Sequence, residues 1–311
     1  MNRARDRLGD LLAGSTGGTT PRTPVVAVAG ANSPEIIESI GRAISTGIAR
    51  FSLIGPPAEI EETARARGVL LTGVRIVPCA GEEECCALAS TLAATGEADV
   101  LMKGLVQTAT FIKSILHADP PLIEADGLIS HVAVADVPAY HKLLLLTDAA
   151  INVTPSVDQR VQLIRNALPV LHSLGIRRPK IACVSPVEKI SERVASTGES
   201  AEIVRRVRAE EVTGVEIAGP FGLDVALSRQ AAGVKSISGT VAGDADLLLV
   251  PNLDTGNAIY KSLTVLAGAR IAGVVGGARI PIVLTSRADS EHTKFASIRL
   301  AVAGALHPEV A

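Results

Sequence analysis

The residues best suited to chemistry follow three short apolar runs of the sequence. After Val100-Leu101-Met102 come Lys103 and Gly104, and Thr108 and Thr110 open the helix-length segment that follows. A lysine charge, a glycine that permits close backbone approach, and hydroxyls beside the N–H groups of a helix start form a cradle for an anion. A solvated lysine with a threonine N-cap is an equally good interpretation of this corner.

The second corner follows the apolar run Leu247–Val250 and carries Asn252, Gly256, Asn257 and Lys261. We expect a polar loop and then an apolar-faced helix with Lys261 in its first turn. Because the helix dipole disfavours a cation at that end, this placement indicates a nearby anion. The alternative is an Asx-turn loop with a lysine that faces solvent.

The third corner places Ser286, Arg287, Asp289 and Ser290 between the run Ile282–Thr285 and the last helix-length segment. A hydroxyl, a guanidinium and a carboxylate are costly to place beside a core unless they meet a ligand or one another. The arginine can grip a phosphate through two parallel hydrogen bonds. In the alternative interpretation, Asp289 or Ser290 caps the last helix and the arginine pairs with the aspartate at the surface.

The elements that must position these corners alternate along the chain. Buried-type strands are predicted at Val25–Gly30, Phe51–Gly55, Val74–Cys79, Val100–Gly104, Leu143–Leu146, Ile181–Ser185, Val215–Ala218, Leu247–Val250 and Ile282–Thr285. The helix-length segments between most of them are Glu59–Arg67, Glu82–Thr95, Thr108–His117, Gln159–Leu174, Glu199–Val212 and Asn257–Arg270. This alternation predicts an α/β fold, with largely parallel sheets covered by helices on both faces. Ligands of such sheets bind beyond the carboxyl ends of the strands, where all three corners are expected.

The chain of 311 residues is long enough for two domains. Residues 14–24 are almost all Gly, Ser, Thr and Pro, so residues 1–24 are predicted to be a flexible leader that is frayed or helical at its start. A domain boundary is predicted after residue 148, because the next segment ends in Thr154-Pro155-Ser156 and a long helix follows.

Composition and missing motifs exclude several classes of function. A net charge of −2 and an aromatic content of 2% make nucleic acid and membranes unexpected partners. No apolar run reaches the roughly 18 residues of a membrane span. No GxGxxG follows a strand, and GxxxxGK(S/T), GxSxG and HExxH do not occur. Classical dinucleotide binding, P-loop phosphoryl transfer, serine hydrolysis and zinc proteolysis therefore lack support.

The four cysteines are Cys79, Cys85, Cys86 and Cys183, with no CxxC pair and no paired histidines at metal spacing. This pattern argues against a zinc site and against a disulfide framework, and it favours a cytoplasmic location. Cys85 and Cys86 lie in an apolar helix-length segment and are expected in the core. No metal site is predicted.

At the same three corners the sequence resembles the phosphate acetyl/butyryltransferase family. The matching segments occur in the family's order and are Leu101–Gly104 with Thr108 and Thr110, Thr147–Asn152, Gly219-Pro220 with Asp224–Ala226, Gly243–Leu253 with Gly256, Asn257 and Lys261, and Thr285–Asp289. Jointly these segments are specific, and no comparably distinctive motif precedes residue 99.

The resemblance implies a two-domain α/β fold like that of the isocitrate and isopropylmalate dehydrogenases, with the active site in the interdomain cleft. It also implies that the C-terminal segment completes the first domain. Domain I is then residues 25–148 plus 277–311, and domain II is residues 149–276. A homodimer or higher homo-oligomer is expected.

The implied reaction is acyl-CoA + phosphate ⇌ acyl phosphate + CoA, with an acetyl or butyryl group, coenzyme A as a substrate and no cofactor. The resemblance implies direct attack by the CoA thiolate in a ternary complex, without a covalent acyl-enzyme. Such attack needs a deprotonated thiol, a polarised carbonyl and a stabilised leaving phosphate.

Site roles carry over by position. Ser286 and Arg287 match the family's Ser-Arg pair at the reacting centre, where the arginine grips phosphate and the serine donates to the carbonyl or a phosphate oxygen. Asn257 and Lys261 would line the cleft from the second domain. The remaining substrate-binding candidates are Lys103, Gly104, Thr108, Thr110, Asn252, Gly256 and Ser290.

One part of the third corner departs from the acetyl-specific branch. In that branch a glycine follows the Ser-Arg pair, and this chain has Ala288 at that position. An acid that is proposed as the general base comes later in that branch, and this chain has Thr293 there. Asp289 is the nearest replacement for the base, with Glu291 and His292 behind it. The run Ser-Arg-Ala-Asp resembles the butyryl branch, but acyl length stays open because one methylene in an apolar pocket is worth only about 1–3 kcal/mol.

Two other functions stay open for this sequence. A nicotinamide-dependent decarboxylating dehydrogenase on the same fold would need a divalent-metal site of several aspartates. A non-catalytic acyl-CoA or phosphate-ester binding protein would not need the Ser286-Arg287 pair. His131 lies close to the expected cleft, but a structural histidine is the favoured interpretation.

Overall fold

The computed structural model describes residues 6–10, 22–286 and 289–306, and of Glu210 only the backbone. The described chain divides into two compact units, which we name by their place in the sequence. The central unit comprises residues 128–271 with residues 6–8, and the terminal unit comprises residues 9–10, 22–127 and 272–306.

The terminal unit contains strands β1 to β4, β10 and β11. Their bounds are Val25–Ala29, Arg50–Gly55, Arg75–Pro78, Val100–Lys103, Arg270–Gly276 and Ile282–Val283. The first two residues of β10 belong to the central unit. The sheet order is β3-β2-β1-β4-β11-β10, and all neighbours are parallel except β10 and β11. The helices are α1 to α4 and α10, at Pro34–Ser45, Pro57–Ala66, Glu82–Ala94, Thr108–Leu116 and Glu291–Leu306.

The central unit contains strands β5 to β9, at Ser130–Asp136, Leu144–Thr147, Lys180–Val184, Glu216–Phe221 and Leu247–Leu249. Their order is β5-β6-β9-β7-β8, and only the β5/β6 pair is antiparallel. Helices α5 to α9 are Val157–Ser173, Ala195–Arg206, Leu223–Leu227, Arg229–Val234 and Leu253–Val265, and a π-helical turn at Val207–Glu211 follows α6.

Local sequence explains why these elements begin where they do. Helix α1 starts with Ser33, whose side chain accepts a hydrogen bond from Ile36 N, and with Pro34 at its first position. Helix α5 starts with a capping box in which Ser156 and Gln159 bond reciprocally. Strands β1, β4, β6 and β9 are buried almost throughout, as strands covered on both faces must be.

The α/β prediction is confirmed, and all nine predicted strands are present. Strands β5 and β10 were not predicted. Strand β5 reaches β6 through a short turn without an intervening helix, so the strand–helix alternation did not reveal it. The predicted helix Asn257–Arg270 covers α9 only in part, and its last residue begins β10.

The unit boundaries differ from the predicted ones. The first lies after residue 127 instead of 148, because β5 pairs with β6 and thereby joins the central sheet. The second lies after residue 271, within β10, instead of after residue 276.

Part of the predicted flexible leader is anchored. Leu8 is buried, and the Arg7 guanidinium donates to Asp136 Oδ1 at 2.8 Å, Val137 O at 2.7 Å and Tyr140 O at 2.6 Å. These contacts fix residues 6–8 on the central unit. The rest of the predicted leader, except residues 9–10 and 22–24, lies outside the described residues.

The expectation of no disulfide is wrong for one pair, since Cys79 and Cys85 are joined with their Cα atoms 5.7 Å apart. The bond links the end of β3 to the first turn of α3, a contact that cysteine spacing alone did not indicate. Cys86 is buried as predicted, and burial raises the pKa of its thiol to about 11. Burial likewise raises the pKa of Cys183 to about 12, so both thiols are protonated near neutral pH.

Within the part of the chain that the structure describes, no helix has both the length and the apolar character needed to cross a membrane.

A buried carboxylate holds the amino ends of the central strands together. Asp244, just before β9, accepts hydrogen bonds from Lys180 Nζ at 2.5 Å and His141 Nε2 at 2.8 Å, and Lys142 and Arg229 also pair with it. Burial alone would raise the pKa of Asp244, but the hydrogen bonds from Lys180, His141 and Lys142 outweigh burial and hold the pKa well below its usual range. The matching segment Gly243–Leu253 therefore begins with a structural anchor.

Replacement of this anchor should destabilise the fold and change its acid sensitivity. Asp244→Asn removes a buried charge whose partners are partly exposed, so we expect a loss of about 1–3 kcal/mol in the unfolding free energy at pH 7. Since the folded-state pKa is lowered, the contribution of Asp244 is complete above the unfolded-state value of about 4 and is lost as the pH falls below it. Urea unfolding between pH 3 and pH 7 should show a flatter acid slope for the variant.

The matched control is Asp126→Asn at an exposed position, which should leave both the unfolding free energy and its acid slope unchanged. Equal unfolding free energies for Asp244→Asn and the control would contradict the anchoring role.

Candidate functional site

The first and third corners lie side by side in the terminal unit. Strand β11 pairs in parallel with β4, with Ile282 opposite Leu101 and Val283 opposite Met102. Both strands therefore end at the same edge of the sheet, where ligands of parallel sheets bind. The second corner belongs to the central unit and lies at the carboxyl ends of β6 and β9.

Lys103 is buried, with only 3% of its surface exposed. Its ammonium donates to Gly104 O at 3.2 Å and to Val106 O at 3.1 Å. The interpretation of a solvated lysine is thus wrong. The charge holds the corner's own backbone and places positive potential at the strand end.

Gly104 is required by a close backbone approach. A Cβ atom at this position would lie 2.2 Å from Gly30 O and 2.5 Å from Ala29 O. Gly104 N and Leu105 N also donate backbone hydrogen bonds to Ala29 O and Gly30 O. We predicted that a ligand would come close to the backbone at Gly104. The group that comes close is instead the backbone at the end of β1 and in the turn that follows it.

The start of α4 is not capped by a threonine. The N-cap position is Gln107, and its side chain makes no capping hydrogen bond, so the predicted threonine cap is wrong. Thr108 is exposed and Thr110 is half-buried in the first turn. Glu82 Oε1 accepts Gln107 N at 2.7 Å, so a carboxylate from α3 already lies at this helix start.

Two hydrogen bonds join Ser286 and Asp289, and we call this bonded pair the Ser286–Asp289 turn. Ser286 N donates to Asp289 Oδ2 at 2.7 Å, and Asp289 N donates to Ser286 O at 3.2 Å. Ser290 Oγ accepts Thr293 N at 3.3 Å and so caps the first turn of α10. The capping interpretation is therefore right for Ser290, whereas Asp289 closes the turn. Arg287 lies outside the described residues.

Sequence reasoning missed Lys294, which lies in the first helical turns of α10 and is 2% exposed. Its Nζ donates to Ser286 O at 3.3 Å and to Asp289 O. Burial lowers the pKa of Lys294, while the charges of Asp289 and Glu35 oppose that shift. The available signal was a lysine near a helix N-terminus, where the dipole disfavours a cation.

The two residues expected behind Asp289, Glu291 and His292, lie against each other, and Glu291 also pairs with Arg42. Glu291 Oε2 lies 2.8 Å from His292 Nδ1, and Glu291 Oε1 accepts a hydrogen bond from Arg42 Nη1 at 3.4 Å. Both contacts lie on the surface of the terminal unit, and His292 is largely exposed.

In the central unit, Asn252 starts α9 by accepting Thr255 N at 3.0 Å. Since α9 begins at Leu253, Lys261 lies in its third turn, and the predicted first-turn position is wrong. Lys261 is exposed, and its Nζ lies 5.1 Å from the centre of the Tyr260 ring, a cation–π distance.

Gly256 and Asn257 pack the first turns of α9 against the end of β6. A Cβ atom on Gly256 would lie 2.1 Å from Asp148 O, so only glycine fits without movement. Asn257 Nδ2 donates to Ala149 O at 3.2 Å. Both residues therefore fix the position from which α9 presents Lys261.

The support beneath α9 is the buried carboxylate of Asp148. It accepts hydrogen bonds from His131 N, Ala150 N, Ile151 N and both the backbone and side-chain nitrogens of Asn152, at 2.6–3.3 Å. These N–H donors satisfy the carboxylate oxygens that burial removes from water. This network explains the matching segment at 147–152 as a structural one.

His131 fits the structural interpretation. It is buried, its carbonyl oxygen accepts Thr147 Oγ1 at 3.0 Å, and its ring meets the Tyr260 ring edge-on with centroids 6.1 Å apart. Among the described side chains, no three His, Cys, Asp or Glu are grouped so that they could hold a metal ion.

Three comparisons place this geometry among known proteins. Residues 82–302 match the family model described as phosphate acetyl/butaryl transferase. The chain is 40% identical over 279 residues to a phosphate butyryltransferase of Clostridium beijerinckii, covering 90% of this chain and 92% of that protein. It is 36% identical over 266 residues to a phosphate acetyltransferase of Rhizobium meliloti, covering 85% and 84%.

A solved structure agrees with these relatives. The crystal structure of a branched-chain phosphotransacylase from Enterococcus faecalis V583 superposes with a TM-score of 0.79 at 33% identity, covering 91% of this chain and 99% of that one.

Substitution by alanine should have opposite effects on stability at Gly256, which packs against Asp148, and at Gly198, which has open space. Gly256→Ala should lower the unfolding free energy by about 1–3 kcal/mol, because the new methyl group meets backbone and α9 must move. Gly198→Ala in α6 meets nothing within 4 Å and should raise it by about 0.5–1 kcal/mol. Thermal or urea unfolding measures both; stabilisation by Gly256→Ala would contradict the close approach.

Proposed function

The chain belongs to the phosphate acetyl/butyryl transferase family and is an acyl-CoA:phosphate acyltransferase, and we propose that it prefers butyryl or a similarly short branched acyl group. The Ser-Arg-Ala-Asp run at 286–289 and the identity to relatives named for butyryl and branched-chain substrates support this preference. The observation that carries the site assignment is the Ser286–Asp289 turn at the end of β11, beside the buried Lys103 corner.

In the proposed reaction the CoA sulfur attacks the carbonyl carbon of the acyl phosphate. A C–S bond forms, the C–O bond to phosphate breaks, and the thiol proton ends on the released phosphate. Ser286 donates to the carbonyl or to a phosphate oxygen, and Arg287 grips the phosphate whose charge grows in the transition state. Asp289 relays the thiol proton from within the turn.

The buried positive charge of Lys103 supports phosphate binding at this edge. Its ammonium is bonded to backbone carbonyls and so acts through its field, while Thr108 and Thr110 offer hydroxyls at the start of α4. Ser290 and Gly104 shape the backbone on either side of this region. All of these residues belong to the terminal unit.

In the central unit, Lys261 is the proposed partner of a CoA phosphate. Asn252, Gly256 and Asn257 set the helix that carries it. Following the resemblance to the family, we propose that the fold is like that of isopropylmalate dehydrogenase. In this proposal, these residues and the Ser286–Asp289 turn act on one substrate in an interdomain cleft. A homo-oligomer, a cytoplasmic location and catalysis without a cofactor stay predictions.

The comparisons do not favour the two other functions considered for this sequence, a decarboxylating dehydrogenase and a non-catalytic binding protein.

A panel of acyl-CoA substrates tests the proposed preference. With inorganic phosphate, linear and branched acyl groups of two to five carbons should all release a free thiol, and kcat/KM should be greatest for the four- and five-carbon groups. Each methylene should change kcat/KM about 10- to 200-fold at most. Highest kcat/KM with acetyl-CoA would move the chain to the acetyl branch, and CoA binding without turnover would favour a binding protein.

Arg287→Ala should lower kcat by a factor of about 100 or more, as expected for loss of one group that stabilises developing charge. Arg50→Ala, at the exposed amino end of β2, is the matched control and should retain full activity. Near wild-type turnover of Arg287→Ala, measured by thiol release, would remove the residue from the proposed mechanism.

A further inference from the structure

Lys294 is a buried charge that the packing of its helix does not require. The residue is 2% exposed on α10, among buried neighbours that include Phe295 and Ile298. Burial of an ammonium is costly unless partners compensate, and an aliphatic side chain would fill the same space without that cost. The charge therefore points to a requirement outside the helix itself.

That requirement is the turn after β11. The ammonium donates to the carbonyl oxygens of both Ser286 and Asp289, the first and last residues of the turn. The carboxylate of Asp289 holds the same two residues from the other side through Ser286 N. One buried cation and one carboxylate thus hold Ser286 and Asp289 together.

We propose that Lys294 is a positioning residue for the acyl transfer, holding Ser286 and Asp289 where these two residues meet the substrate. The inference rests on the proposed function, because it assigns a role in that reaction to a side chain that touches only the turn. It adds Lys294 to the residues that determine the rate.

The charged groups that face Lys294 come from two elements besides α10. Asp289 lies in the turn and Glu35 lies in the first turn of α1, which packs along α10. The Arg42–Glu291 pair lies at the exposed end of the same helix contact. Both carboxylates favour the ammonium, but burial outweighs them, so the proton is lost at a lower pH than from an exposed lysine.

Loss of that proton removes the charge assistance from both hydrogen bonds to the turn. Activity should therefore fall as the pH rises through the pKa of Lys294. Arginine keeps its proton throughout this range, so Lys294→Arg should move the alkaline limb of the pH–rate profile upward.

Lys294→Met tests the inference, because methionine has a similar length and no charge. We expect kcat to fall at least about 10-fold with KM for CoA and acyl phosphate changed less than about threefold, as for an effect on the transition state. The melting temperature should stay equal or rise, since a buried charge is replaced by an apolar group. Lys189→Met, at an exposed position of the central unit, is the control and should match wild type.

Two results would overturn the role of Lys294: wild-type kcat in a folded Lys294→Met variant, or an unchanged alkaline limb in Lys294→Arg. The second variant keeps the inference testable if Lys294→Met does not fold.

Hydrogen exchange of the peptide spanning residues 282–292 separates this inference from the proposed function. Faster exchange in Lys294→Met than in Lys189→Met supports the grip on the turn, and equal exchange contradicts it, whether or not the wild type transfers acyl groups. An inactive wild type across the acyl panel would instead refute the proposed function.

Discussion

The pairing of β11 with β4 is the contact on which the terminal unit's candidate site depends. Strand β11 is only two residues long, and it lies between β4 and β10. This short pairing inserts the C-terminal segment into a sheet begun by residues 25–103, and it sets the Ser286 turn beside the Lys103 corner. The close approach of Gly104 to Gly30 sets the neighbouring corner in the same edge. Without β11 in the sheet, the polar residues of the first and third corners would have no common location.

Three buried charges among the described residues hold backbone groups. Lys103 bonds the carbonyls of its own corner, Lys294 bonds those of the Ser286 turn, and Asp148 collects the N–H groups beneath α9. Asp244 instead binds side chains, at the amino ends of the central strands. Each of these groups is costly to bury, and each satisfies several partners at once, which is the condition under which a buried charge is tolerated. Segments shared with the family thus include framework as well as chemistry, and a rigid framework is what a site of fixed geometry needs.

Much of the fold could be predicted from local patterns. Short buried strands alternating with helices gave nine of the strands, and the caps at Ser33 and Ser156 mark helix starts in the sequence itself. The third corner was also recognisable, because Ser286, Arg287 and Asp289 lie within four residues of one another in the sequence. The errors arose where one local sequence pattern is compatible with two different structures. The predicted helix start at Asn257 placed Lys261 in the first turn of α9, yet the cap at Asn252 begins that helix earlier. The dipole argument made for Lys261 applies instead to the overlooked Lys294.

The sequence alone determined the α/β class and the family, because hydrophobic periodicity and short motifs are local properties of the chain. Tertiary structure alone decided that β5 joins the central unit, that Cys79 meets Cys85, and that Lys103 and Lys294 are buried. These facts depend on which distant residues become neighbours. A lysine in a sequence carries the same charge whether it faces water or a turn, and only the packed fold determines what that charge holds.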